Sequence, residues 1–527
     1  MAELATDSPE AKQPKAIDPH NVPHRGLIMA SLMLAVIMQV LDTTIANVAL
    51  PDMRADLGAS RDTINWVLTS YIVAAAIVTP MSGWLANQFG RREIFMVSVV
   101  GFVIFSMLCG IAWSLDAMVM FRLMQGVFGA AIVPLAQSFM LDINPRERHG
   151  QAMAMFGAGI MLGPIIGPTL GGYLTETLNW RWVFYINVPL GVIAIAGAMS
   201  FLPEMPKRKT KFDFFGFAAL AIGIGALQMM LDRGSDLDWF SSLEIWIELA
   251  LSICGFWVFV IWILGAKKPF LDPRMFLDRN LSMGLIFIFI VGIVLLASLA
   301  LLPPMLSGIF GYPTITTGLV MSPRGVGAMI MMLVIGRLVK SVDLRLLVVL
   351  GLSLTAYSLH MMSTFSPLMG PKWIILSGVV QGFGLGSVFV PITTLAFATL
   401  DQKYRGDGTA LFSLVRNIGS SIGISIVTAL LTHMIAVNHS ELASGMNPQN
   451  LQGLASGSSA LGQYGETAVY QVLDNLTTQQ AAMISYLDDF KFMMWITIAA
   501  IPLVFFLRKP DYSSTSQGGQ DAAPAME

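Results

Sequence analysis

The sequence predicts an all-α polytopic membrane protein: fourteen transmembrane helices, as two six-helix bundles plus two extra helices between them. Three observations carry this. Of 527 residues, 55% are apolar and 12% charged, about half the usual charged share of a soluble domain. The apolar residues fall in long continuous runs rather than alternating ones, so they read as helices and not as barrel strands. Two stretches of the chain also recur at nearly one interval.

Residues 1–26 are polar and carry scattered prolines and charges, unlike a cleavable signal peptide with its short apolar core. They read as an N-terminal tail. Apolar runs follow at approximately 27–49, 64–86, 94–113, 118–141, 152–173, 183–202, 213–231, 245–265, 282–304, 314–336, 345–363, 373–398, 407–434 and 491–507. Each can cross a hydrocarbon core about 30 Å thick. The first six make an N-terminal half, 27–203. The segment 204–281 holds linkers and the extra pair, and 282–507 holds the C-terminal half with a long loop at 437–490. Residues 508–527 form a second tail.

Basic residues set the orientation. One set of connections carries Arg91, Arg92, Arg146, Arg148, Lys207, Arg208, Lys267, Lys268, Arg337, Lys403 and Arg405, and both tails add more. The opposite connections hold Arg54, Arg61, Arg181, Arg233, Lys372 and Lys491. This bias places both termini in the cytoplasm and requires an even number of spans. A formal net charge of −2 suggests no nucleic-acid partner. The two cysteines, Cys109 and Cys254, sit in different runs and suggest packing rather than a metal or disulfide.

The repeat is carried by GWLANQFGRR at 83–92 and GRLVKSVDLR at 336–345, offset by 253. Gln125-Gly126 and Gln381-Gly382 recur at an offset of 256, each leading to a proline, Pro134 and Pro391. Twofold repeats of this kind place a substrate site between two halves.

Further motifs are LDTTIANVALP at 41–51, RLMQGVFG at 122–129, GIMLGPIIGPTLGG at 159–172 and WRWVFYINVPLG at 180–191. With 83–92, they resemble the motifs of the major facilitator superfamily, and among its members the fourteen-span drug:proton antiporters of the EmrB/QacA type. The resemblance covers nearly the whole chain outside the tails. It implies the major facilitator fold and proton-driven efflux of hydrophobic or amphipathic toxic compounds across a bacterial inner membrane, a trait of antibiotic resistance. The proton gradient stands in place of any cofactor. It also implies an EmrA-like periplasmic adaptor and a TolC-like outer-membrane channel as partners in a tripartite pump. Gly83, Gly90, Arg91 and Arg92 match the loop motif, and Gly163, Pro164, Gly167 and Pro168 the antiporter motif. Asn87 stands where the loop motif normally has Asp, a residue thought to join a charged latch. Asn brings no charge, so a latch here is weaker or built differently.

An ionisable group inside a bilayer is costly and marks function by default. Asp42 and Arg122 fall at matching depths of roughly 8 Å from the outer face, at 1.5 Å per residue. A pair that separates between states would let Asp42 alternate between proton holder and carboxylate. A static ion pair, or Asp42 capping backbone, is the plainer alternative. Arg324 and Arg416 fall near mid-depth and either meet anionic groups in a central cavity or pack on backbone carbonyls. Gln39 and Asn47 join them as candidate cavity residues. Glu248 reads as snorkelling at the outer interface.

The glycines of 159–172 make a smooth face for close helix approach, and Pro164 and Pro168 bend it. That suits either rocking of two halves or plain packing. Gly419 to Gly423 fits G-x-S-x-G but lies inside a membrane helix, so it reads as packing rather than a hydrolase elbow. No Walker A or H-E-x-x-H pattern occurs, so neither an ATP-driven pump nor a zinc protease is indicated. The loop 437–490 has no Lys or Arg and holds Glu441, Glu466, Asp474, Asp488 and Asp489. It is either a solvated loop or the adaptor's docking surface. The rival functions are a dedicated exporter of one metabolite, fatty acid or siderophore, a membrane-embedded enzyme, and a transporter-like receptor.

Overall fold

The structure, a computed structural model, describes residues 18–205, 207, 211–267, 269–339, 341–444 and 466–508. The tails before residue 18 and after 508, and the middle of the 437–490 loop, lie outside them. Among the described residues, thirteen helices are long and apolar enough to cross a bilayer, and a bent pair, counted as one span, brings the total to fourteen.

Spans 1 to 6 are Arg25–Asp56, Trp66–Val78 with Met81–Phe89, Arg91–Gly110, Leu115–Asp142, Arg146–Thr177 and Trp182–Phe201. Spans 7 and 8, the extra pair, are Phe214–Arg233 and Leu243–Gly265. Spans 9 to 14 are Arg279–Gly308, Ile315–Leu338, Leu344–Met362, Pro371–Ala398, Gln402–Ser444 and Gln471–Phe506.

Polar caps open several spans. The side chains of Ser114, Asp213 and Asp278 accept from the backbone N–H of Ala117, Gly216 and Leu281, closing orphan donors of the first turn. Span 2 bends by 58° between its two pieces, at Thr79 and Pro80, where proline removes a ladder donor. Gly90 sits at φ 111° and turns span 2 directly into span 3, a conformation that suits glycine. Span 5 keeps one unbroken helix, His149–Thr177, through Pro164 and Pro168.

The repeat is visible in the packing. Span 1 packs on spans 5 and 6, span 4 on spans 2 and 3, and span 3 on span 6. Span 9 packs on spans 13 and 14, span 12 on spans 10 and 11, and span 11 on span 14. The halves meet where span 5 runs against span 10: Gly150 faces Val339, Gly336 faces Ala154 and Gly325 faces Ile165. Glycines of span 5 also take span 1 closely, with Gly159 at Met33, Gly163 at Val40, Gly167 at Thr44 and Gly171 at Ile45. Gly172 has nothing near it, so it leaves that face. Such contact is the main cohesive force where no hydrophobic drive separates helix from lipid.

Span 7 binds both halves. Asp232 accepts from Thr69 of span 2, Gln228 donates to Ser421 of span 13 at 2.8 Å, and Ser425 donates to the Leu231 carbonyl. Spans 13 and 14 run well past the apolar runs at 407–434 and 491–507, so residues 437–444 and 466–490 are helical rather than loop. Glu248 does not snorkel: it is 7% exposed and its Oε2 has no partner among the described residues.

Candidate functional site

Asp42 of span 1 is the centre of a buried polar cage in the first half. Its Oδ2 accepts from Arg122 Nη1 at 2.6 Å. Its Oδ1 accepts from Gln125 Nε2 at 3.0 Å and Asn187 Nδ2 at 2.7 Å. Arg122 and Gln125 stand three residues apart on span 4, hence on one helix face, and Gln125 Oε1 takes a second bond from Arg122 at 2.9 Å. Arg122 Nε donates to the Val67 carbonyl of span 2 at 3.1 Å, and its guanidinium lies 4.5 Å from the Tyr71 ring centroid. Asn187 of span 6 also donates to Ser106 of span 3 at 2.9 Å. Asp42 is 1% exposed, and Arg122, Gln125 and Asn187 are fully buried.

The chemical consequence is direct. Three donors from two other spans converge on one carboxylate. A proton on Asp42 removes the negative charge that strengthens all three bonds. Protonation would therefore weaken the hold of spans 4 and 6 on span 1. Charge-assisted bonds of this sort are about twice as strong as neutral ones.

The second half holds a counterpart. Ser298 of span 9 stands 256 residues after Asp42, as Gln381 of span 12 does after Gln125. Gln381 Nε2 donates to Ser298 Oγ at 3.3 Å, as Gln125 does to Asp42. Arg324 Nη2 donates to Ser298 Oγ at 2.9 Å and to the Leu295 carbonyl at 3.2 Å. Arg324 comes from span 10, whereas Arg122 comes from span 4. Arg416 of span 13 is half-buried, with no side-chain hydrogen bond or ion pair among the described residues.

These halves have known relatives. The family model of the Major Facilitator Superfamily matches residues 32–424. The chain belongs to that superfamily. It is 34% identical over 498 residues to the multidrug export protein EmrB of Escherichia coli K12, covering 94% of this chain and 97% of that one. It is also 34% identical to the fatty acid resistance protein FarB of Neisseria gonorrhoeae, covering 93% and 98%. The fold matches that of the proton:xylose symporter XylE, with a TM-score of 0.60 at 12% identity, over 91% of this chain and 95% of that one. The chain is thus an EmrB-like facilitator, a multi-pass membrane protein whose family members are transporters rather than enzymes.

In this facilitator the loop motif closes a second charged cluster, on the Arg-rich face. Arg91 Nη1 pairs with Asp142 Oδ2 and reaches Ser138 Oγ at 3.2 Å. Arg405, at the start of span 13, gives its Nη1 to Asp142 Oδ1 at 2.7 Å. Asp142 therefore joins spans 3 and 4 to the second half. Gly83 admits Asp407 of span 13 so closely that a Cβ would collide with that carboxylate. Arg92 donates to the Met199 carbonyl at 2.6 Å. Asn87 is half-buried and takes part in none of these ion pairs.

Of the residues singled out in the sequence, Asp42 and Arg122 come together, and Arg324 is buried within the second half. Gln39 Nε2 reaches the Tyr71 hydroxyl at 3.4 Å while its Oε1 has no partner among the described residues. Asn47 is exposed. The hydrolase-like stretch is packing: Gly419 abuts Phe289 and Gly423 abuts Ile293. Sequence reasoning missed Gln125, Asn187, Asp142, Arg405 and Ser298 as site residues. The recurring Gln-Gly pair was the available signal for Gln125. The motif at 180–191 carried Asn187 without marking it.

Proposed function

We propose that this EmrB-like facilitator is a proton-driven multidrug efflux antiporter. It exports hydrophobic and amphipathic toxic compounds from the bacterial cytoplasmic side, with both termini on that side, as the Arg-rich face supports. Asp42 is the proton-coupling carboxylate and Arg122 its exchangeable partner. Substrate occupies the space between the halves, where Gln39, Asn47, Arg324 and Arg416 offer polar contacts. The relationship to EmrB supports the exported class. It also supports an inner-membrane place in a tripartite pump with an EmrA-like adaptor and a TolC-like channel. The extended helices at 437–444 and 466–490 suit docking of the adaptor.

The observation that carries the coupling reading is the fully buried Asp42–Arg122 pair with two further amides on the same carboxylate. Moving one proton onto Asp42 changes the bonding of spans 1, 4 and 6 at once, which is what alternating access requires of a switch. The test is ethidium efflux from proteoliposomes under an imposed proton gradient, wild type beside Asp42→Asn. Gradient-dependent efflux is expected to vanish in the variant while ethidium still binds. Equal efflux in both proteins would remove Asp42 from coupling. A dedicated exporter of one amphiphile is the second reading. It is favoured by FarB's kinship and by Arg324 and Arg416, which pair with no acid among the described residues. Breadth of substrates in the same assay separates the two.

A further inference from the structure

The two halves differ in charge at equivalent places. Gln381 and Ser298 repeat Gln125 and Asp42, with serine replacing the carboxylate. Arg324 stands 253 residues after Tyr71, the same interval that separates Gly336 from Gly83. The packing keeps this equivalence. Gly126 is pressed against the Tyr71 carbonyl, and Gly382 against the Arg324 carbonyl. The position 256 residues after Arg122 is Gly378, where an added Cβ would lie 3.4 Å from the Cβ of Arg324. At these places the second half has the amide but no acid, and its arginine stands on span 10 rather than span 12, in space that a larger residue at 378 would claim.

The result is a buried cation without an anion. Arg324 is 5% exposed, and its Nη1 has no acceptor among the described residues. Gln381 Oε1, also buried, has no donor there. Between Asp278 and Asp343, between Asp343 and Asp401, and between Asp407 and Glu441 the sequence holds no Asp or Glu. Spans 9 to 12 and the membrane part of span 13 therefore supply no counter-charge, and the buried Asp489 of span 14 makes no ion pair with Arg324. An intramembrane arginine normally pairs with an acid or with backbone carbonyls, and only the Nη2 of this one does the latter. Arg324 also lies ten residues beyond Thr314 in its helix, roughly 15 Å along the axis, too deep for a headgroup. Gly325, the next residue, abuts Ile165 of span 5, so the position borders the seam between the halves. Val294, Ala297 and Leu301 of span 9 and Val320 of span 10 form buried apolar packing beside it.

We propose that Arg324, positioned by Ser298 with Gln381 beside it, forms a carboxylate-binding site for the head of an apolar, monoanionic guest, the tail lying along spans 9 and 10. The guest's oxygens take the free Nη1 of Arg324, and its charge completes the pair that Asp42 completes in the first half. The proposal rests on the central-cavity reading above but not on coupling at Asp42.

The probe is a dansyl-labelled undecanoate compared with its methyl ester, titrated by fluorescence into the full-length protein in phosphatidylcholine nanodiscs, without a gradient. The acid should bind about tenfold tighter than the ester, the equivalent of one charge-assisted hydrogen bond. Arg324→Gln should bring the acid down to the ester's affinity and leave the ester unchanged. Gln381→Leu, which keeps the arginine, should cut the preference only in part. A wild-type protein that binds acid and ester equally overturns the proposal without any variant, as does an Arg324→Gln protein that retains the preference. Repeating the titration with phosphatidylglycerol present separates the sources: a preserved preference supports a free guest, and its loss overturns that assignment in favour of a lipid anion. Failure of coupling at Asp42 would leave every one of these readings intact, because none uses a gradient.

Discussion

Asp42 and Asp142 are both 2% exposed or less, and both accept from arginine. They differ in where their donors come from. All donors to Asp42 lie on spans 4 and 6, within one half. Asp142 takes Arg91 from its own half and Arg405 from the other. A rigid rocking of the halves leaves the first set whole and must tear the second. The first cluster can change only if its protonation changes. The second must change whenever the halves part on the Arg-rich face. One acid is therefore suited to sense the proton and the other to report the state, and perturbing each should separate the two roles.

The largest effect is expected at the cage. Asp42→Ala leaves Arg122 buried with no carboxylate, and breaking one side of a buried pair costs about 3–5 kcal/mol. Thermal unfolding in nanodiscs should show a marked loss for Asp42→Ala. The loss should be smaller for Asp42→Ala combined with Arg122→Met, which removes the stranded charge. Equal destabilisation in the single and double variants would mean that the pair contributes packing rather than charge compensation.

An effect of intermediate size is expected at the inter-half acid. Asp142→Asn and Arg405→Gln should each weaken closure of the Arg-rich face, with a smaller loss in unfolding than Asp42→Ala, because Arg91 and Arg405 keep some exposure where Arg122 has none. The readout is labelling of a cysteine introduced at Ser138, in a background with Cys109 and Cys254 replaced. Labelling from the Arg-rich side should rise in both variants. Residues in one ion-pair network couple by about 0.5–3 kcal/mol, so the double variant should open the face hardly more than either single one. Additive opening would show that Asp142 and Arg405 act independently.

How far these clusters were legible in the sequence follows from the kind of signal each leaves. Asp42 and Arg122 interrupt apolar runs, and counting residues brought them to one depth. Gln125 and Asn187 are neutral amides and carry no charge to mark them, so the repeat pointed to the position of Gln125 without showing that it donates to the carboxylate. Asp142 and Arg405 lie at span ends, where a charge ordinarily meets water, and only folding shows that they meet each other. The fourteen spans were legible because apolar runs register bilayer thickness. The helices continuing from spans 13 and 14 were not, because they are polar and hold each other through pairs such as Asn438 with Ser485 at 3.0 Å and His439 with Asp474 at 3.1 Å. Glu248 misled because its position near a span end predicts exposure, while neighbouring helices cover it.

The smallest effect is expected at Asn87. The family's loop motif places an acid there, so Asn87→Asp would be expected to rebuild a missing latch. The geometry argues otherwise. Arg91, across the Gly90 turn from Asn87, already gives its Nη1 to Asp142, and Arg405 holds the other oxygen of that same acid. A new carboxylate at 87 would compete for a cation already paired, on a half-buried surface where an ion pair is worth about 0–1 kcal/mol. Gradient-driven ethidium efflux should therefore change less than about fivefold, since 1 kcal/mol corresponds to roughly that factor. In an Asp142→Asn background the outcome should reverse. There Arg91 is released, and Asn87→Asp should recover part of the lost closure, read by the same cysteine labelling. Recovery in that background with near-silence in the wild type would show that the latch moved from position 87 to Asp142 rather than weakened. A large gain from Asn87→Asp alone would show that Asp142 never replaced it.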